Sequence, residues 1–211
     1  LGKGRARVRR ARITLLGAGV AETDSTGAAL GRAAPDFALP DTGGWTVVLG
    51  DFSEAPGLLV VFICNHCPFV KHIREELAQA VKRYQGKGLA VVGISSNDVE
   101  AFPQDGPELM ACEVEEHGYS FPYLFDETQA VAKAFTAACT PDFFLFDKER
   151  RLVYRGQFDG SRPGSDLPVT GADLGAAVEA LLEGKPISTV QRPSIGCNIK
   201  WKAGNEPDYF G

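Results

Sequence analysis

The sequence predicts an α/β fold with a central mixed β-sheet flanked by helices, and a strand–helix–strand unit is the main reason. Residues 58–63 are an unbroken apolar run, which is typical of a strand buried on both faces. Apolar side chains then recur with helical spacing over 68–86, and a second apolar run covers 89–94. Such a unit predicts two parallel strands joined by a right-handed crossover helix. A later hairpin adds antiparallel strands, which makes the sheet mixed.

The other elements are assigned in chain order. Residues 22–34 are rich in Gly, Ala, Ser and Thr, which predicts a linker, and an extended segment follows over 34–40. Turn residues at 41–44 precede a short strand at 45–49. We further predict helices over 107–117, 127–135 and 172–182, and strands over 121–125, 142–146 and 152–157. We expect the residues after 186 to wrap the surface.

The chain divides by charge into a basic start and an acidic body. Its 211 residues suit one domain with appendages. Residues 1–27 contain six basic and two acidic side chains and are expected to form a flexible tail, whereas 28–211 form the folded domain. The remainder carries 16 basic against 25 acidic residues, which argues against nucleic acid as a partner. No apolar run approaches the roughly 20 residues of a membrane-spanning helix.

The five cysteines are an odd number in a chain long enough to build a core without disulfide staples. This favours a reducing compartment, so a cytoplasmic location is expected. The alternative is an exported or organellar protein, because the short apolar run at 13–21 after the basic start resembles a targeting segment. The simplest interpretation of Cys112, Cys139 and Cys197 is that each is a small buried apolar side chain.

Cys64 and Cys67 form a C-x-x-C at the junction between the first buried strand and its helix. A helix N-terminus offers unpaired N–H groups and partial positive charge, which stabilise a thiolate. We therefore expect Cys64 to be the more exposed thiol, with a lowered pKa, and Cys67 to lie close enough for a disulfide. Structural zinc is the alternative, but it usually needs four ligands and no second C-x-x-C exists. We expect no metal, and we expect His66 to point away from the sulfurs.

Four segments are distinctive: Ala-Pro-Asp-Phe at 34–37, Cys-Asn-His-Cys-Pro-Phe at 64–69, Thr-Pro-Asp-Phe-Phe-Leu-Phe at 140–146 and Ser-Ile-Gly-Cys-Asn-Ile-Lys-Trp-Lys at 194–202. Together they resemble the thioredoxin-like superfamily, in particular its peroxiredoxin-like group of alkyl hydroperoxide reductase and thiol-specific antioxidant (AhpC/TSA) proteins that carry a thioredoxin-style C-x-x-C. The resemblance covers roughly residues 30–202 and leaves the basic start outside it.

This resemblance implies a thioredoxin-like fold and thiol–disulfide oxidoreductase activity, in which Cys64 attacks the substrate disulfide and Cys67 resolves the mixed disulfide. It also implies a cis peptide bond between Thr140 and Pro141, which shape a substrate groove facing the C-x-x-C. No bound cofactor is required. The partners implied are protein or small-molecule disulfides and thiols, together with a dithiol partner that donates or accepts electrons.

Several roles stay open. Asn65 and His66 tune the redox potential if the imidazole stabilises a thiolate, and otherwise His66 is merely solvated. Cys139 and Cys197 are accessory cysteines if they form a disulfide with each other. Cys197 alone is accessory if it acts as a resolving cysteine.

Two rival functions also stay open. A peroxide reductase would use Cys67 as its peroxidatic cysteine, because Cys67-Pro68 aligns with that position in peroxiredoxins. However, Cys64 and Val60 stand where peroxiredoxins have the Thr and Pro of their motif. The second rival is a non-catalytic module that binds zinc or a protein partner.

Overall fold

A computed structural model describes residues 22–26 and 29–210. Its strands are β1 (Glu22–Asp24), β2 (Ala38–Pro40), β3 (Thr46–Val48), β4 (Leu58–Phe62), β5 (Ala90–Ser95), β6 (Tyr123–Phe125), β7 (Cys139–Thr140), β8 (Asp142–Phe146), β9 (Leu152–Gly156) and β10 (Ile195–Asn198). Its α-helices are α1 (Pro68–Gly86), α2 (Pro107–His117), α3 (Ala130–Phe135) and α4 (Ala172–Leu182), and 3-10 turns occupy Leu49–Phe52 and Pro103–Asp105.

The central sheet has five strands in the order β6-β5-β4-β8-β9. Strands β4, β5 and β6 are parallel, and β8 and β9 continue the sheet in antiparallel pairing. The predicted α/β class and mixed sheet are therefore confirmed. The crossover from β4 to β5 runs through α1, as the strand–helix–strand pattern predicts.

Both faces of β4 are buried, which explains its unbroken apolar sequence. Leu59 and Val61 lie in one core cluster with the apolar side of α1 and with α4. Leu58, Val60 and Phe62 lie in the second cluster, on the other face, together with α3 and Trp201. At roughly 25 cal/mol per Å² of buried apolar surface, these two layers are the main source of stability.

A second, three-stranded sheet has the order β1-β10-β7 and corrects two expectations. Residues 22–34 are not wholly a linker, because β1 pairs with β10, and a tail that extends to residue 27 does not fit residues 22–26. The C-terminal segment does not only wrap the surface, because β10 lies between β1 and β7 with Gly196 and Cys197 buried. Residues 1–21, which include the apolar run at 13–21, lie outside the described residues, as do 27 and 28.

Among the described residues, no helix is long and apolar enough to cross a bilayer.

Candidate active site

The C-x-x-C lies between the end of β4 and the start of α1. Cys67 is the N-cap of α1 and Pro68 is its first residue, a position where the missing proline N–H costs no hydrogen bond. Both sulfur-bearing residues are buried, with Cys64 1% and Cys67 0% exposed. The expectation that Cys64 is an exposed thiol is therefore wrong, and the segment around Asp105 packs on the motif through hydrogen bonds with Asn65.

Three sulfur atoms converge on Thr140. The Thr140 Oγ1 lies 3.5 Å from Cys64 Sγ, and the Thr140 carbonyl oxygen lies 3.1 Å from Cys67 Sγ. Cys197 is paired with Thr140 in the register of β10 and β7, and its Sγ lies 2.9 Å from Cys67 Sγ. Cys67 therefore has a thiol on either side, of which only Cys64 is near it in sequence.

The ionisation of the pair differs from the prediction. Hydrogen bonding with Cys67, burial and the charge of Asp105 raise the pKa of Cys64 well above its ordinary value. Burial alone would raise the pKa of Cys67, but hydrogen bonds from Cys197, Cys64 and Thr140 and from the backbone N–H of Val70 outweigh it and lower this pKa. The hydrogen bond with Cys197 is the largest of these lowering contributions, and the Val70 N–H at the start of α1 is the smallest. The lowered pKa favours Cys67 over Cys64 as the site of the thiolate in the reduced pair.

A buried carboxylate, Asp105, organises the two residues between the cysteines. Its Oδ1 accepts the backbone N–H groups of Asn65 (2.9 Å) and His66 (3.1 Å). Its Oδ2 lies 2.5 Å from His66 Nδ1 and accepts the Asn97 side-chain amide at 2.8 Å. Contrary to expectation, His66 does not point away from the pair, because its Nδ1 is 3.9 Å from Cys64 Sγ.

These groups also resemble a partial metal site. Ligand atoms of Cys64, His66 and Asp105 all lie within 4.8 Å of one another. Both oxygens of Asp105 already accept hydrogen bonds, however, and tetrahedral zinc would need a fourth ligand. The arrangement of these three residues is therefore better explained by hydrogen bonding to the Asp105 carboxylate than by a structural zinc site.

The Thr140–Pro141 peptide bond is cis. Pro141 lines a small cleft beside the start of α1, together with Phe69, Phe143, Phe158 and Ile195. Polar groups close one end of this cleft, where Ser161 Oγ donates to Asp159 and contacts His72 Nε2 at 3.0 Å. The sequence gives no signal for this cleft, because its lining comes from four separate segments of the chain.

The remaining cysteines have separate environments. Cys139 is buried, but its thiol is directed at the Pro141 carbonyl (3.6 Å), and it is paired in register with Asn198 rather than Cys197. The register thus places Cys139 and Cys197 on opposite faces of the small sheet, which does not favour a disulfide between them. Cys112 is exposed on α2, so the expectation that it is buried is wrong.

Comparisons with known proteins agree with this architecture. Residues 30–155 match the sequence profile of the AhpC/TSA family. A curated relative, the thiol-disulfide oxidoreductase ResA of Geobacillus thermodenitrificans (strain NG80-2), is 26% identical over 130 residues, which are 62% of this chain and 70% of that protein.

Two solved structures are also similar. A hypothetical protein from Sinorhizobium meliloti 1021 is 59% identical, with a TM-score of 0.85 over 86% of this chain and 100% of that one. The thioredoxin domain of a thiol-disulfide oxidoreductase from Bacteroides vulgatus is 22% identical, with a TM-score of 0.52 over 61% of this chain and 89% of that one. The second likeness confirms the thioredoxin-like fold.

Proposed function

Because this chain belongs to the AhpC/TSA family of thioredoxin-like redox proteins, we propose that it is a thiol–disulfide oxidoreductase whose working pair is Cys64 and Cys67. The observation that carries the proposal is the contact between these two thiols at the start of α1, beside Thr140 and Pro141. The likeness to a relative named as a thiol-disulfide oxidoreductase supports the same chemistry.

The proposed reaction begins with the transfer of a proton from one thiol of the pair to the other. Moving the Cys64 proton to the Cys67 thiolate generates a Cys64 thiolate, which attacks a substrate disulfide and releases one substrate thiol. Cys67 then attacks the Cys64 sulfur of the mixed disulfide, releases the second substrate thiol and leaves a Cys64–Cys67 disulfide. A dithiol partner reduces that disulfide and completes the cycle, so no bound cofactor is needed.

Substrate binding is assigned to the cleft beside Thr140 and Pro141. The cleft is small, about 20 Å³, so its apolar lining by Phe69, Phe143 and Phe158 suits contact with one apolar group of a peptide or small disulfide that lies across it. Because Cys64 is buried, a local movement of the surrounding segments must accompany the approach of a substrate. A cytoplasmic location belongs to this proposal, since the chain carries thiols besides the working pair, and subcellular fractionation tests it.

One observation favours a second function. The lowered pKa of Cys67 gives a buried thiolate at the residue that aligns with the peroxidatic cysteine of peroxiredoxins. In that case Cys67 would attack a peroxide, form a sulfenic acid, and be resolved as a disulfide by a neighbouring thiol. The replacement of the peroxiredoxin Thr and Pro by Cys64 and Val60 argues for the oxidoreductase instead.

Insulin reduction by dithiothreitol separates these functions. We expect Cys64→Ser to lower the catalysed rate by at least roughly two orders of magnitude, because the attacking sulfur is gone. Cys67→Ser should accumulate a mixed disulfide between Cys64 and the substrate. Cys112→Ser is the matched control and should retain the wild-type rate, because this thiol is exposed on α2.

The opposite pattern would support the peroxide reductase. If Cys64→Ser keeps full activity in a hydrogen peroxide consumption assay while Cys67→Ser loses it, and neither affects insulin reduction, the oxidoreductase proposal is wrong. Stoichiometric zinc in the purified protein, with thiols that never cycle, would instead indicate the binding module.

A further inference from the structure

We propose that Cys197 is a third redox thiol, which exchanges with the Cys64–Cys67 disulfide to give a Cys67–Cys197 disulfide and a free Cys64. This inference rests on the proposed function, because it takes the Cys64–Cys67 disulfide as its starting form. It assigns to the C-terminal segment a chemical role in addition to its structural one.

The distance between two sulfur atoms is the first support. Cys67 Sγ lies 2.9 Å from Cys197 Sγ, which is about 0.9 Å longer than an S–S bond of about 2.05 Å. Both residues are buried, at 0% and 3% exposure, so water does not separate them. A sulfur that contacts Cys64 on one side and Cys197 on the other is placed to pass a disulfide between them.

The backbone fixes Cys197 in this position. Strand β10 is held on both edges, by β1 and by β7, and Cys197 is paired with Thr140 in the β7 register. The preceding residue is Gly196, where a Cβ would lie only 2.1 Å from the Thr140 carbonyl oxygen. Only glycine allows the strand to approach this closely, so the sequence Gly196-Cys197 brings the third sulfur to the site.

The exchange balances in atoms and electrons. The Cys197 sulfur attacks Cys67, a Cys67–Cys197 bond forms, the Cys64–Cys67 bond breaks, and Cys64 leaves as a thiolate. The proton lost by Cys197 ends on the Cys64 thiolate, so the net charge of the three cysteines is unchanged. No external oxidant or reductant is consumed, because one disulfide and one thiol exist before and after the step.

The consequence is a second oxidised form with a different reactivity. In the Cys64–Cys67 form, the thiol that meets substrates is blocked. In the Cys67–Cys197 form, the disulfide is stored behind the pair and Cys64 is available for a further substrate or a partner. The reverse attack by Cys64 on Cys67 returns the disulfide to the pair, where a dithiol can reduce it.

The test is disulfide mapping of the full-length wild-type protein. The protein is oxidised with diamide, which takes two electrons and two protons from a pair of thiols, and is equilibrated for about an hour, the timescale of disulfide rearrangement. Free thiols are then blocked with N-ethylmaleimide, and the protein is digested with pepsin at low pH, where exchange stops. We expect two species by mass spectrometry: one with Cys64 joined to Cys67, and one with Cys67 joined to Cys197 and Cys64 alkylated.

Two isosteric variants sharpen the result. Cys197→Ser should lose the second species completely and keep the first. Cys139→Ser is the matched control, because this buried thiol lies one residue before Thr140 but is directed at the Pro141 carbonyl. It should retain both species.

The outcomes separate this inference from the proposed function. A wild-type protein that contains only the Cys64–Cys67 disulfide overturns the role of Cys197 and leaves the oxidoreductase intact. A protein that forms neither disulfide overturns both. Because the decisive measurement uses wild-type protein, a variant that fails to fold does not affect it.

Discussion

Asp105 places a carboxylate beside the proposed redox pair. It is fully buried, accepts two backbone N–H groups between the cysteines, and holds the His66 imidazole. The hypothesis that His66 directly stabilises a thiolate is therefore modified, because its Nδ1 faces the carboxylate at 2.5 Å and the Cys64 sulfur only at 3.9 Å. We therefore expect any tuning of the redox potential by Asn65 and His66 to act through this carboxylate.

Removing the charge of Asp105 tests this arrangement. Hydrogen bonding with Cys67 and burial raise the pKa of Cys64, and the Asp105 carboxylate adds to them. We expect Asp105→Asn to lower the pKa of Cys64, because the repulsion between two negative charges disappears. A more stable thiolate stabilises the reduced form, so the disulfide should become more oxidising. Thiolate absorbance as a function of pH and equilibration with glutathione measure the two effects.

Asp98→Asn is the control for this prediction. It makes the same charge change on the same segment, but Asp98 accepts the Glu100 N–H instead of contacting the pair. An unchanged or higher pKa of Cys64 in Asp105→Asn would contradict the assigned role. A shift of the same size in Asp98→Asn would assign the effect to net charge instead.

At the scale of elements, the site forms where α1, β7 and β10 meet. Helix α1 supplies Cys67 as its N-cap, β7 supplies Thr140, and β10 supplies Cys197. Gly196 is the closest contact in this assembly, because any side chain there would meet the Thr140 carbonyl. The packing of β10 on β7 is therefore expected to tolerate no larger residue.

We expect Gly196→Ala to destabilise the protein by about 3 kcal/mol, the upper part of the range for overpacking, because a backbone carbonyl cannot rotate away like a side chain. Chemical denaturation of the reduced protein measures this free energy of unfolding. Gly86→Ala is the matched control, since a Cβ at the end of α1 meets no atom within 4 Å. It should be neutral or stabilising, and an equal loss in both variants would contradict the explanation.

The parts of the site that sequence reasoning predicts are local, and the parts it misses are not. The C-x-x-C follows a strand and begins a helix, so neighbouring residues alone indicate a redox pair. Asp105 contacts His66 across 39 residues, and Cys197 contacts Cys67 across 130, so both reach the site only through tertiary pairing. Likewise, β1 has no apolar alternation of its own, and only its pairing with β10 makes it a strand.

At the scale of the whole molecule, one buried ion pair of the central sheet also contacts the segment after β1. Arg155 on β9 contacts Asp142 on β8 at 3.0 Å, and its guanidinium lies 4.4 Å above the Phe144 ring. Ser25, just after β1, donates to the same carboxylate at 3.1 Å. Arg155 also donates to the carbonyl of Thr136 after α3. The ion pair therefore connects Ser25, the central sheet and the end of α3 at Asp142, the residue after Pro141.

Replacing Arg155 by an uncharged residue should destabilise the protein by an amount that depends on pH. Burial raises the pKa of Asp142, and Arg155 and Ser25 oppose this rise. In Arg155→Met the opposition weakens and the pKa of Asp142 rises further, so the fold favours the protonated carboxyl. The stability gained from a protonated Asp142 in the fold is fully present below its unfolded pKa of 3.8. It is lost as the pH rises through the higher pKa that Asp142 has in the folded protein. We expect a deficit of about 3–5 kcal/mol near pH 7, because a carboxylate is left buried without a partner.

The same deficit should shrink as the pH falls towards the unfolded pKa, and denaturation across a pH series measures it. The double variant Asp142→Asn with Arg155→Met is the control, because a neutral amide removes the unpaired charge and should recover part of the loss. The recovery should be largest at neutral pH, where Asp142 would otherwise be ionised. A deficit that does not change between neutral and acid pH would mean that Arg155 acts through its packing on Phe144 rather than through its charge.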